Sequence, residues 1–440
     1  MPRRLSWMPI TTPLRPAPKI PTNGMALVSQ RRPRGTGSNM TVYDEAHEWY
    51  STHWDAEMPV GDWWRLISES GWGYPFWPAD RFGRGLSHVE ATEADRARDD
   101  VGAFGPPNGV AVTLVAPTLF EHGPDLLLDR YLPKIATGEE LWCQLFSEPG
   151  AGSDLAGLRT AAERDGDEWI INGQKVWTTA AHTADRAVVM ARTDPDVTKH
   201  QGISFFCIDM SQPGVEVRPL RDMTGDCEFN EVFMDNARVR HDDAIGGLNN
   251  GWRAAMTMLA VERELDAVGH DGGGDVVNDV DLSAPVGVVQ HAQATSTGIS
   301  GFSYTTGAMK DQVVRSLLDD EDRTDPLLRQ ALANAHIERA VLDWNGARQV
   351  NPSLGKLGNS LLCRTLRDLG FSGKGMPAQL GRDDQPDGGH FLKTALFAQG
   401  MAIAGGTDEI QRNLIGEREL GLPKEPDPTR GLAFSELPDQ

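Results

Sequence analysis

Four stretches of this 440-residue chain carry residue types that could do chemistry. The first is Leu141-Trp-Cys-Gln-Leu-Phe146-Ser147-Glu-Pro-Gly-Ala-Gly-Ser153-Asp154, a Gly/Ser turn wedged between apolar residues and a polar segment. Gly150 and Gly152 let the backbone approach a ligand without a Cβ clash; the plainer reading is a surface turn capped by Asp154. The second, Asn172-Gly-Gln-Lys-Val-Trp177-Thr-Thr179, sets an aromatic ring beside hydroxyls. On its own, Trp177 reads as a core tryptophan on a strand. The third, Glu262-Arg263, closes the mostly apolar run Met256–Val261. A carboxylate there suits proton abstraction, yet an acidic residue on a helix usually faces solvent. The fourth is Gly405-Gly406-Thr407-Asp-Glu409-Ile-Gln411-Arg412-Asn-Leu-Ile-Gly-Glu-Arg418.

Composition narrows the chemistry. A formal charge of −21 argues against sequence-independent nucleic-acid binding, which needs cations on phosphates. It leaves a phosphorylated small ligand open, because loops and helix ends decide that locally. The four cysteines (Cys143, Cys207, Cys227, Cys363) are far apart, and no histidine pair has metal-ligand spacing. A reducing cytoplasm and no metal are the expectation. No apolar run approaches the ~18 residues of a membrane span. Residues 1–40 hold seven basic residues, seven prolines and no acid. Such a leader cannot bury enough apolar surface to order itself. Its arginines fit an organellar transit peptide, but its prolines spoil an amphipathic helix, and a start at Met40 or Met25 fits better.

The elements that must position these residues change in kind along the chain. Residues 41–145 mix apolar and charged positions at helical spacing, as in Asp44–Tyr50, Trp63–Ser70, Val110–His122 and Asp125–Ala136. Tryptophans 49, 54, 63, 64, 72 and 77 are expected in packing. From 146 to 246 the rhythm is short strands: Glu168–Thr179 with a hairpin turn expected at Asn172-Gly173, then Arg186–Arg192, Ile203–Asp209, Val215–Arg218 and Glu231–Asp235. Strands this close, with no helices between, predict an antiparallel barrel or sandwich. Helical spacing returns over 247–425, in Trp252–Arg263, Pro326–Arg348, Leu354–Leu369 and Phe391–Gly400, with a tail at 426–440. His270–Met309 resists this pattern, being rich in Gly, Ser, Thr and Val. A loop of that length without structure is improbable in a compact domain.

The blocks at 141–154 and 405–418 closely resemble the two signature segments of the acyl-CoA dehydrogenase family. The resemblance extends to Tyr131-Leu-Pro-Lys-Ile-Ala-Thr-Gly138, Asn172–Thr179 and Phe229-Asn-Glu-Val-Phe. It implies an α+β fold: an N-terminal helical domain, a central antiparallel β domain and a C-terminal four-helix bundle. It further implies FAD as cofactor, held by Phe146, Ser147, Trp177, Thr179, Thr407 and Glu409. Trp177 would pack on the isoalloxazine, with Thr179 near flavin N5 and Ser147 near the pyrimidine edge. Ser153 matches a position that holds acyl-CoA.

Many family members place the catalytic glutamate immediately before Gly-Thr, where this chain has Gly405. A branch of the family draws it instead from the first long helix of the C-terminal domain, at a Glu-Arg pair. Glu262 is thus the implied base, with Arg263 beside it for positioning or substrate contact. Gly405 keeps a backbone N–H able to polarise the thioester carbonyl. The implied reaction is α,β-dehydrogenation of an acyl-CoA to a trans-2-enoyl-CoA, in fatty-acid and lipid metabolism. Its implied partners are electron-transferring flavoprotein and further subunits in a homo- or hetero-oligomer, a dimer or tetramer. Two alternatives stand beside it: a non-catalytic flavin- or CoA-binding subunit of a heteromeric dehydrogenase, and an acyl-CoA oxidase.

Overall fold

The computed structural model describes residues 40–268, 280–295, 314, 325–348, 350–375 and 390–438. The basic leader therefore lies outside the described residues, as does most of 270–309. From Val42 onward the described residues belong to one compact unit.

The chain opens with helices α1 (Val42–His53), α2 (Val60–Glu69) and α3 (His88–Val101). Ser87 starts α3 with a capping box, its hydroxyl accepting from the Glu90 amide while Glu90 accepts from the Ser87 amide. Trp63, Trp64 and Trp72 are buried among Ala46, Tyr50, Ala94 and Ala97, and Trp49 and Trp54 pack against them. The indoles of Trp63 and Trp64 donate to Phe104 and Gly105 carbonyls at 2.9 and 3.0 Å, so burial leaves no orphaned N–H at either. Trp77 is also buried, stacked on Tyr74. Helices α4 (Ala116–His122) and α5 (Asp125–Thr137) complete this layer and lie against the sheet.

Seven strands follow: β1 (Trp142–Leu145), β2 (Ala161–Asp165), β3 (Glu168–Thr179), β4 (Arg186–Arg192), β5 (Ile203–Asp209), β6 (Val215–Leu220) and β7 (Phe229–Arg240). They form one sheet in the order β1-β4-β2-β3-β7-β6, with β5 also paired to β4. The sheet thus takes in Trp142–Leu145, which sequence spacing leaves with the helices. Nor is it wholly antiparallel: β4 runs parallel to β1, and to β2 where Ala161 meets Arg192. Period-2 packing explains why β4 and β5 read as unbroken apolar runs. Val188, Met190, Phe205 and Cys207 face the helical layer, while Val189, Ala191, Phe206 and Ile208 face a second core within the sheet.

The hairpin expected at Asn172-Gly173 is not there. β3 runs straight through these residues, and the β2–β3 turn is Gly166-Asp167, between paired Asp165 and Glu168. Gly166 takes φ +63°, the left-handed region such a two-residue turn requires. Asn172-Gly173 instead marks a register shift against β7. Glycine fits there because a Cβ at 173 would lie 2.4 Å from the Thr160 hydroxyl.

Helix α6 (Gly251–Val268) leaves the sheet where its first residue rests on β5. Its buried face is Ala254, Ala255 and Met258. Next, α7 (Val286–Thr295) lies inside the stretch whose composition disfavours helix. It docks on the first helices, with Val286 fully buried and its amide donating to the Met58 carbonyl at 2.8 Å. Tertiary packing overrides propensity here. Then come α8 (Pro326–Ala347), α9 (Pro352–Lys374), α10 (His390–Met401) and α11 (Asp408–Leu414). Helix α9 packs on α6, α8, α10 and α11, which makes it the axis of the C-terminal bundle. Among the described residues no helix is long and apolar enough to cross a membrane.

Gly251 offers a direct test of how α6 is seated. A Cβ there would come within 2.4 Å of the Ser204 carbonyl carbon and 2.5 Å of the Phe205 amide. Both are backbone atoms and cannot swing away. Gly251→Ala is expected to cost about 1–3 kcal/mol, as overpacking does, read as a lower urea midpoint at unchanged slope.

Candidate functional site

The turn after β1 is shaped by a buried ion pair. Lys175, on β3, is fully buried; its Nζ donates to Glu148 Oε1 at 2.8 Å and to the Phe146 carbonyl at 3.0 Å. The Glu148 carboxylate also accepts the Arg159 and Thr160 amides, at 2.7 and 3.0 Å. Glu148 and Ala151 exchange backbone hydrogen bonds, and the Val176 amide donates to the Ser147 carbonyl at 2.9 Å. Residues 147–154 are thereby closed into a tongue pinned to β3. At its tip, a Cβ at Gly150 or Gly152 would meet nothing within 4 Å. Ser153 is exposed there. Asp154 makes no side-chain cap, and its carboxylate takes Lys199 Nζ at 2.8 Å instead.

Two residues beyond Lys175, the strand twists. Pairing with β7 shifts register between Lys175 and Thr178, and Trp177 takes φ +61°. A bulky residue in the left-handed region is strained, and such strain clusters at functional sites. The shift turns Trp177 outward, 57% exposed, between buried Val176 and Thr178. The reading of Trp177 as core tryptophan is therefore set aside. Among the described residues its one ring contact is with Phe229, at 5.7 Å and 82°, and more than half of the side chain is left exposed. Thr179, one residue past buried Thr178, is partly exposed. Asn230, fully buried, donates to the Thr178 carbonyl at 3.0 Å and fixes the twisted segment.

The C-terminal block follows α10. Gly405 and Gly406 take φ +63° and +89°. Thr407 then caps α11, its hydroxyl accepting the Ile410 amide at 3.2 Å. Gln411 donates to the Gly405 carbonyl at 2.8 Å. Asp408 is buried between Lys356, Ser360 and Arg364, all on α9. Burial opposes its ionisation, but these partners hold its carboxyl below the ordinary range. Glu409 points to solvent, 3.6 Å from Arg412. Phe229 packs on Cys363, Phe397, Ala398 and Met401, so the edge that supports Trp177 also touches the helix that leads to Gly405.

Glu262 lies seven residues after Ala255 and four after Met258, both fully buried, and so continues the inner stripe of α6. It is partly buried, with Oε2 shielded from solvent. The solvated-face reading of Glu262 does not survive this. Arg263, the next residue, is also partly buried. The α6 stripe shares a core with Phe146, whose ring meets Phe205 edge-on at 5.5 Å.

Phe146, Ser147, Ser153, Trp177 and Thr179 thus ride on one piece, locked by Glu148 and Lys175. Gly405, Thr407 and Glu409 ride on another, joined to the first through Phe229. Glu262 and Arg263 stand on α6, and α9 packs on α6 and α11 alike. Sequence reasoning assigned no role to Glu148, Lys175 or Asn230. Their signal was a cation and an amide set among inward, apolar strand positions.

Burial is the largest influence on both members of the ion pair. For Glu148 the Lys175 charge and the amide donors outweigh it and hold the carboxyl low; for Lys175 burial prevails and draws its pKa down. Glu148→Gln should therefore cost about 3–5 kcal/mol at neutral pH by leaving a buried cation without its counter-charge. The lowered carboxyl contributes stability above its unfolded-state pKa of about 4.3 and loses it as pH falls through the lower folded value. Melting of parent and variant from pH 7 to pH 3 should show the gap closing only at the acid end.

The acyl-CoA dehydrogenase middle-domain family model matches residues 143–237, the sheet together with its tongue. Acyl-CoA dehydrogenase IpdE1 of Mycobacterium tuberculosis is 36% identical over 365 residues, covering 79% of this chain and 84% of that protein. Acyl-CoA dehydrogenase FadE34 of the same organism is 37% identical, over 81% of this chain and 46% of its own length. Among solved structures, the Tcur3481-Tcur3483 steroid acyl-CoA dehydrogenase superposes with a TM-score of 0.63 at 23% identity, over 87% of this chain and 97% of that one. The ChsE4-ChsE5 complex from Mycobacterium tuberculosis does so at 0.61 and 25%, with the same coverage of each chain. With its fold shared and most of a relative's length matched at over a third identity, this chain belongs to the acyl-CoA dehydrogenase family of oxidoreductases.

Proposed function

We propose that this chain binds FAD and oxidises the Cα–Cβ bond of an acyl-CoA to a trans-2-enoyl-CoA, passing the electrons to an electron-transferring flavoprotein. The observation that carries the cofactor assignment is Trp177, whose open ring is held outward on a strained backbone beside partly exposed Thr179. A flat, uncharged face flanked by hydroxyl and backbone donors fits an isoalloxazine ring. When bound, FAD supplies the acceptor for the β-hydrogen, which leaves as hydride.

The chain's own residues do the rest. Glu262 takes the α-proton on its carboxylate, whose Oε2 is shielded from the water that would compete for it. Arg263 orients the acid or the thioester beside it. The Gly405 amide donates to the thioester oxygen as negative charge gathers there. Ser153, at the open tip of the tongue, holds the acyl-CoA. Phe146 and Ser147, just after β1, would border the flavin on one side, and Thr407 and Glu409, at the start of α11, on another. Further subunits, identical or not, complete the assembly, and the cytoplasm is its compartment.

Purified protein is expected to be yellow, and Trp177→Ala should retain flavin about tenfold less well, the scale of a lost aromatic stacking contact. Absorbance ratios after dialysis measure this. A colourless parent that takes up no flavin on reconstitution sinks the cofactor assignment.

Glu262→Gln keeps size and hydrogen-bonding capacity but removes the proton acceptor. Flavin content and acyl-CoA binding should persist, while anaerobic flavin bleaching by acyl-CoA should slow by at least about a hundredfold. Bleaching at the parental rate means the base lies elsewhere. Peroxide formed by the parent on admitting air means an oxidase. A parent that binds flavin and never bleaches is a non-catalytic subunit.

A further inference from the structure

We propose that Phe434 and Arg192 form a clamp through which the C-terminal segment positions the Ser147–Asp154 tongue for acyl-CoA, a role that rests on the reading of Ser153 above. Arg192 ends β4 and is only 5% exposed. Its donors go to carbonyl oxygens: Nη2 to Ala156 at 2.7 Å, Nε and Nη2 to Leu158 at 3.2 Å, and Nη1 to Lys199 at 3.0 Å. Ala156 and Leu158 follow directly on the tongue. The guanidinium is thus the post around which the chain after Ser153 is wound.

A cation taken out of water needs more than carbonyl dipoles. Phe434 adds to the nearby charges of Glu148 and Asp154, its ring centroid lying 3.3 Å from the guanidinium carbon. Cation–π attraction grows as the cation loses water, and burial here is strong enough to pull Arg192 down to about 10. The ring is placed by its own backbone. Phe434 and Ser435 amides donate to the Val197 and Pro195 carbonyls, both at 2.8 Å, and the Ser435 hydroxyl donates to Asp196 at 3.0 Å.

The loop they grip, between β4 and β5, also touches the site. Its Lys199 holds Asp154, next to Ser153, and its His200 meets Trp252 of α6 edge-on at 4.7 Å. One short segment near residue 434 therefore fastens the loop that fastens the tongue. The expected tail at 426–440 is, over residues 433–437, a strap on the β layer.

The test compares full-length parent with Phe434→Leu, which keeps apolar bulk but loses the π face, and Phe434→Trp, which keeps both. Amide exchange over residues 152–160 should quicken about tenfold in Phe434→Leu, and the KM for acyl-CoA should rise about tenfold with kcat changed less than about twofold. Phe434→Trp should restore both. Unaltered exchange in Phe434→Leu overturns the clamp. Faster exchange with an unaltered KM overturns its role toward substrate. If the parent itself turns over no acyl-CoA, the dehydrogenase reading fails and takes the substrate role with it, while exchange alone still decides whether the clamp exists.

Discussion

The site depends first on a charge pair that water does not reach. Glu148 and Lys175 are each buried and each would be costly alone. Through Lys175 they tie the tongue after β1 to the strand that carries Trp177, and through the Arg159 and Thr160 amides to the chain that enters β2. An apolar pair of the same volume would pack equally well but would not fix direction. Lys175 must find both an acid and a carbonyl, and Glu148 must find both a cation and two amides. These bonds hold the tongue in its observed place. That placement sets Ser153 and the Trp177 ring on a common rigid piece.

The same economy of shared parts appears on the helical side. Helix α9 packs on α6, which bears Glu262, and through Lys356, Ser360 and Arg364 it grips Asp408 at the start of α11. Carboxylate and Gly-Gly-Thr loop are thus referred to one rod rather than to each other. The sheet joins this frame through Phe229, which lies under the Trp177 edge and against α10. Sites built on helices and strands hold their geometry better than sites built on loops.

Much of this was legible in the sequence, and the failures have physical causes. Arg186–Arg192 and Ile203–Asp209 appear as strands with the bounds their apolar runs set, because both faces are covered and the run cannot extend without leaving the core. Asn172-Gly173 misled because the pair that favours a hairpin turn also suits a bulge, where glycine is needed for contact with Thr160. Gly166-Asp167 makes the turn, since two residues with a left-handed glycine close antiparallel strands with little strain. The exposure of Trp177 was hidden for a related reason: one register shift reverses which face a side chain takes, and residue type does not encode the shift. Helix Val286–Thr295 was obscured by Val286, Gly287 and Val289, which pack against the first helices whatever their intrinsic preference. The strap at 433–437 has no periodicity at all, and only the partner of Arg192 betrays it.

The placement of the carboxylate follows from the backbone. At Gly405 the chain sits at φ +63°, a conformation that costs a side-chain-bearing residue about 1–2 kcal/mol. The next residue, Gly406, is tighter still, with Gln411 2.8 Å from where a Cβ would stand. The backbone of this turn thus favours glycine at both positions. On α6, by contrast, Glu262 stands in regular helix, on a stripe that Ala255 and Met258 already bury. The acid then needs no strained backbone to reach inward, because helical phase alone aims it. On the proposed reading two tasks are separate: the turn would bind developing negative charge, and the helix would accept the proton.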